Sequence, residues 1–147
     1  MLFRSVISNK LLERNQRYSK NLLLMHGPES QLVSALGARQ NSVASSIFDS
    51  YREFFADQAL ECVTHLRAGD GPFSTALAGK SLAFAREKRA PAVISNAVRM
   101  LDRRDGPVAD VLDAVRNLTP LSNRTVERSN SEGFLKSGQE KIGRAHV

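Results

Sequence analysis

Residues 29–68, ESQLVSALGARQNSVASSIFDSYREFFADQALECVTHLRA, are the stretch on which the fold assignment turns. Leu32, Leu36, Val43, Ile47, Tyr51, Phe54, Phe55, Ala59, Cys62, Val63 and Leu66 follow one another mostly at three, four or seven residues, the spacing of one stripe on a helix. Arg39, Asp49, Arg52, Glu53, Asp57 and Glu61 fall around that stripe as a solvated face. At about 1.5 Å per residue the segment makes a rod of roughly 60 Å, longer than the usual globular helix and suited to an extended bundle or coiled coil. Gly37 is its weak point, costing about 1 kcal/mol against Ala. The stripe mixes aromatic and small residues, so it does not encode an oligomeric state as a leucine-rich heptad would.

Working outward, three Gly-Pro pairs punctuate the chain: Gly27-Pro28, Gly71-Pro72 and Gly106-Pro107. Gly suits the position past a helix end and Pro the first turn of the next helix, while Asp70 and Asp105 stand ready to cap. The pattern predicts helices over 6–26, 29–68, 72–104 and 107–118 within one module, 6–121. The third carries Phe73, Leu77, Phe84, Ile94, Val98 and Leu101, with a kink expected near Arg89-Ala90 because Pro91 removes a backbone donor. The fourth gathers Val108, Val111, Leu112, Val115 and Leu118, and residues 122–141 read as a polar, disordered tail. The expected fold class is therefore all-α: an elongated helical hairpin, bundle or coiled-coil-like rod with 29–68 and 72–104 packed antiparallel. Segment 28–69 carries three basic against five acidic residues and lies between basic neighbours, which favours that packing. One hairpin leaves too little partner surface for both stripes, so a homo-oligomer is expected.

The two ends stand outside the fold argument. Met1-Leu2-Phe3-Arg4-Ser5 and Ile142-Gly143-Arg144-Ala145-His146-Val147 read as translated sequencing-adapter read-through, segments 1–5 and 142–147, and the chain reads as a fragment. Removing Arg4 and Arg144 from the 21 basic residues leaves 19 against 15 acidic, so the net charge of +6 becomes +4. The single cysteine excludes an internal disulfide framework and any multi-thiolate metal site. With no Trp, two Tyr and seven Phe, stacking platforms for nucleic acid are scarce. No apolar run approaches the ~20 residues of a membrane span.

Candidate chemistry is sparse. Cys62 and His65 lie three apart, but an apolar stripe is the ordinary place for a free Cys, and a His near a helix end is favoured by the dipole. His26 adjoins a Gly-Pro turn, and Asp110 and Asp113 lack a histidine or Gly-rich loop beside them. Gly37, Gly69, Gly71 and Gly79 form no phosphate-binding pattern. Arg86, Lys88, Arg89, Arg99, Arg103 and Arg104 form a basic set that reads first as a solvated face and second as a phosphate contact. No catalytic, cofactor-binding or metal residues are expected, and no enzymatic activity.

From Ile47 to about Ser129 the pattern resembles the phasins, the small helical proteins that coat polyhydroxyalkanoate granules in bacteria. The strings that carry it are Tyr51-Arg52-Glu53-Phe54-Phe55-Ala56-Asp57-Gln58-Ala59-Leu60-Glu61, the break at Gly69 to Pro72, and Phe73 through Phe84-Ala85-Arg86-Glu87. Thr119-Pro120-Leu121-Ser122-Asn123-Arg124-Thr125-Val126-Glu127 is similar to the family's Pro-Leu-Asn-x-Arg-Val close. Pro91 and the Gly-Pro breaks depart from it. The resemblance implies a non-enzymatic, cytoplasmic, granule-associated coat protein without cofactors, whose partner is the granule surface. Its apolar surface or core stripe would comprise Leu36, Val43, Ile47, Tyr51, Phe54, Phe55, Phe73, Leu77 and Phe84. The alternatives are a basic helical nucleic-acid-binding module, which the composition disfavours, and a structural or scaffold fragment of a larger helical protein.

Overall fold

The computed structural model describes residues 9–19, 21–122 and 130–145. Segment 1–5, read as an adapter scar, lies outside them, as do His146 and Val147 of the other end. The chain divides into two compact units, residues 1–95 and 96–147.

The first unit is not all-α. It runs α1 (Asn9–Arg14), α2 (Gln16–Ser19), β1 (Leu23–His26), α3 (Gln31–Gly37), α4 (Asn41–Tyr51), β2 (Asp57–Val63), α5 (Thr75–Lys88) and β3 (Ala92–Ser95). The three strands form one parallel sheet in the order β1-β2-β3. The expectation of an all-α hairpin or coiled coil is thereby corrected. Strands occupy the end of the first expected helix, the second half of the 40-residue rod and the stretch after Pro91.

Local backbone shows why the rod does not form. Arg39, just past α3, is held at φ +59°, and Leu66 and Phe73 at +57° and +63°, each a break that a helix cannot cross. Arg89 caps α5 at φ +54°, so Pro91 follows a finished helix and leads into β3 instead of kinking a continuous one. Between the breaks, helix signals work as sequence rules say. Ser30 Oγ accepts from the Val33 amide at 3.3 Å, and Ser74 Oγ from the Leu77 amide at 3.1 Å, each satisfying an orphan donor of the first turn.

β2 is the central strand, with Gln58, Ala59, Leu60, Cys62 and Val63 all buried. On one face Leu60 joins Leu32, Val33 and Leu36 of α3, Phe48 of α4, and Leu77 and Phe84 of α5 in a single core. Phe48 meets Phe84 edge-on at 5.9 Å, a favoured aromatic geometry. Three helices therefore cover the same side of the sheet. The alternation of strand side chains sends Ala59, Glu61 and Val63 to the other side. The edge strands are less covered, with Leu23, Met25, Val93 and Ile94 at 54, 45, 40 and 57% exposure. The ion pairing anticipated between acidic and basic segments does occur in part, as Lys88 of α5 bonds Asp49 of α4 at 2.9 Å.

The second unit holds a 3₁₀ turn (Arg103–Asp105), α6 (Gly106–Arg116) and α7 (Gly138–Ala145). α6 matches the fourth expected helix, and its Pro107 sits in the first turn. It buries Gly106, Ala109 and Ala114. A Cβ on Gly106 would run into the Ser131 side chain, so this close approach favours glycine. Residues Asn130–Ser137 pack instead of trailing as a tail: the Arg99 amide donates to Gly133 O at 2.8 Å and the Leu135 amide to Met100 O at 3.0 Å. Residues 123–129 of the expected tail lie outside the described set.

Because Leu60 is fully buried at the meeting point of three helices, Leu60→Ala is expected to cost about 3 kcal/mol. Val93→Ala, on the exposed edge, should stay below about 1 kcal/mol. Urea unfolding followed by circular dichroism measures both.

Candidate functional site

In parallel α/β sheets the functional groups gather at the carboxyl ends of the strands. Here those ends place His26-Gly27, the residues after Val63, and Ser95. Glu61 reaches this end on the face away from the helices. Its Oε1 accepts from Ser95 Oγ in a short hydrogen bond, linking β2 to β3. A Cβ on Gly27 would stand 3.0 Å from Glu61 Oε2, so the absence of a side chain there makes room for the carboxylate.

His26 lies on the opposite face, 4% exposed, between the rings of Phe48 and Tyr51 at 5.9 and 6.0 Å. Gln58 Nε2 donates to the Phe48 carbonyl at 3.1 Å, which leaves its Oε1 to accept from His26 Nε2–H at 2.9 Å. The neutral ring thus carries its proton on Nε2 and its lone pair on Nδ1. Burial holds the His26 pKa below its ordinary value, and the Gln58 hydrogen bond offsets part of that shift. His65 follows β2, buried and stacked on Phe73 at 4.8 Å with 8° between the rings. Burial, and next the Glu61 charge, push the Cys62 thiol up, so it stays protonated and is a poor nucleophile at neutral pH. Among the described residues no group of three His, Cys, Asp or Glu is arranged to hold a metal ion.

A hollow of about 430 Å³ opens at the amino ends of β2 and β3, floored by Phe48, Phe55, Ala90 and Pro91 and rimmed by Arg52, Lys88 and Arg89. Lys88 is already bonded to Asp49 and lies over the Phe48 and Phe84 rings. Lys88 and Arg89 also stand at the C-terminus of α5, and Arg52 at that of α4, where they complement the helix dipoles. The rim therefore serves the fold before it serves any anion.

The second unit contains a buried polar cluster. Lys136 Nζ donates to Asn96 Oδ1 at 2.8 Å and to Glu132 O at 2.7 Å, and it pairs with Glu132 Oε2 at 3.1 Å. Arg103 bonds the other oxygen of the same carboxylate. Asn96 Nδ2 donates to the Glu132 and Phe134 carbonyls at 2.9 and 2.6 Å. All three ammonium hydrogens have acceptors, so the cluster pins Asn130–Ser137 to Asn96.

The nine residues expected as one stripe do not share one helix. Leu36, Leu77 and Phe84 are core residues, with Ile47 packed against them, and Phe55 is buried at the end of the α4–β2 loop. Val43 is 45% exposed, Tyr51 and Phe54 are half-buried, and Phe73 stacks on His65. Of the six basic residues, Lys88, Arg99, Arg103 and Arg104 are paired with Asp49, Asp113, Glu132 and Asp102. They are also divided between the two units. The groups that sequence reasoning passed over are Glu61 and Lys136. A lone carboxylate inside the apolar run Ala59 to Val63 was the signal for the first.

Comparison with known proteins gives no match: no protein-family description fits the chain, and no curated protein is significantly similar to it. Among the described residues no helix is long and apolar enough to cross a membrane.

Two outcomes follow from these sites. A histidine with a lowered folded pKa contributes nothing to the pH dependence well above its ordinary 6.5. Below that value the unfolded chain takes up the proton first, so stability falls as pH drops toward the folded pKa. Urea midpoints should therefore decline between about pH 7 and pH 5, and His26→Leu should flatten the decline while losing about 1–3 kcal/mol at pH 7 through the unpaired Gln58. Lys136→Met leaves part of a buried carboxylate uncompensated, for about 3 kcal/mol. Exchange of the Leu135 amide should quicken roughly a hundredfold.

Proposed function

We propose that this chain is an architectural sector of a parallel β/α sheet, one that closes into a barrel with further β/α units, and that it contributes structure and not catalysis. The observation that carries the reading is the stagger of the ladder. β1 pairs residues 57–60 of β2, whereas β3 pairs residues 60–63, an offset of three residues toward the carboxyl end. A stagger accumulating in one direction tilts strands and closes a sheet on itself. The sequential order β1-β2-β3 with α3, α4 and α5 on one face supports the same reading. A doubly wound sheet reverses its strand order and carries helices on both faces.

Parallel sheets are almost always covered on both sides. In this one the side away from the helices exposes Leu23, Met25 and Val93. In a barrel that side is the interior, filled by layers of side chains from neighbouring strands. A non-catalytic role draws support from the polar groups at the carboxyl end, since Glu61 is held by Ser95 and His26 by Gln58. A coat for polyester granules draws none, because its stripe is divided between core and surface.

Thiol labelling tests the reading. Met25→Cys and Val93→Cys, each in a Cys62→Ala background, should label freely in this chain. In the gene product that carries the flanking reading frame they should label at least about tenfold more slowly, because access limits thiol reactivity. Equal labelling in the two proteins overturns the barrel reading.

A further inference from the structure

α6 is built the wrong way round for a helix at home in a monomer. The face it buries consists of Gly106, Ala109 and Ala114, whereas Val108, Val111, Leu112, Val115 and Leu118 are 59, 42, 57, 65 and 88% exposed. These five recur at three, four and seven residues, one apolar stripe with heptad spacing. Together they present on the order of 500 Å² of apolar surface, at the upper end of what soluble monomers leave in water.

The stripe runs to the very end of the helix. Leu118 occupies the left-handed position after the helix, φ +51°, where the Thr119 amide closes the turn onto Ala114 O at 2.9 Å. That position favours glycine, because a side chain there crowds the backbone. A large apolar residue thus closes α6 in the same left-handed cap that Arg39 and Arg89 supply to α3 and α5, and it stands 88% exposed.

We propose that the α6 stripe docks on the α6 stripe of a second copy of this chain, in an antiparallel twofold pair. An isologous contact uses the same patch twice. A register centred on residue 113 sets Val108 against the partner copy's Leu118 and Val111 against its Val115, with Leu112 of each copy flanking the centre. Antiparallel helices also set their dipoles in the favourable sense. Two patches of this size bury about 1,000 Å² in total, the floor for a specific interface, so the dimer is weak and concentration-dependent. This inference is argued from residues 106–118, whereas the ladder stagger behind the barrel reading lies in residues 23–95.

Sedimentation equilibrium of the full chain from about 5 µM to about 500 µM tests it, a range in which a minimal interface changes state. The expected result is a shift from 16.2 kDa toward twice that mass. Val115→Asp should remain monomeric throughout with an unchanged circular dichroism spectrum, since the position is on the surface. Leu118→Gly relieves the left-handed strain while removing the last contact. It should raise the thermal midpoint of the dilute monomer and move dimerisation to at least about tenfold higher concentration. A wild-type chain that stays monomeric at the highest concentration overturns the proposal. So does association that Val115→Asp and Leu118→Gly leave unchanged.

Discussion

Removing the central strand from water on both of its faces is the constraint around which the first unit is organised. A parallel strand has no hairpin to hold it, and each neighbour must arrive through a crossover. Between β1 and β2 the chain spends α3 and α4 on that crossover, and between β2 and β3 it spends α5. All three helices bring their apolar sides to Leu60, and that shared burial sets the register of the sheet beneath them. His26 and Gln58 follow from it, since the same face that accepts Phe48 must also accept two polar groups, and each satisfies the other.

Much of the helical content was legible. α3, α4 and α5 fall within expected helices and α6 matches the fourth to within two residues at each end, Ser30 and Ser74 cap two of them, and Pro107 opens a third. The strands were not legible, for a physical reason. A buried parallel strand reads as an apolar run, and Ala59, Cys62 and Val63 fit a helical stripe as readily as a strand. β1 and β3 are four residues each, too short to show any period. Left-handed turns at Leu66, Phe73 and Arg89 separate helix from strand, and one at Arg39 separates α3 from α4, all residue types that announce no turn. Gly-Pro pairs marked where helices begin, but what precedes Gly27 is a strand and not a helix.

The sites were less legible than the fold. His26 was singled out by its turn, yet its role depends on Gln58, thirty-two residues away. Glu61 was counted among solvated charges because in a helix it would have faced water, whereas in a strand it faces Ser95 and Gly27. Lys136 and Glu132 lay in a stretch whose polarity suggested a tail. Phe134 and Leu135 within it were the trace of order, and Asn96 supplies an acceptor that lets a lysine be buried. The two units thus meet the same requirement with different means, an amide and an imidazole in one and a multiply bonded ammonium in the other.

The close approach of Gly27 to Glu61 has an evolutionary corollary. A methyl group at position 27 presses on the carboxylate, whose other oxygen is held by Ser95 and has little room to retreat. Once position 61 has shortened to aspartate or alanine, the same methyl group is free of cost. The cost of a methyl group at 27 therefore depends on what stands at 61. Position 27, just past β1, and position 61, within β2, thus form an epistatic pair.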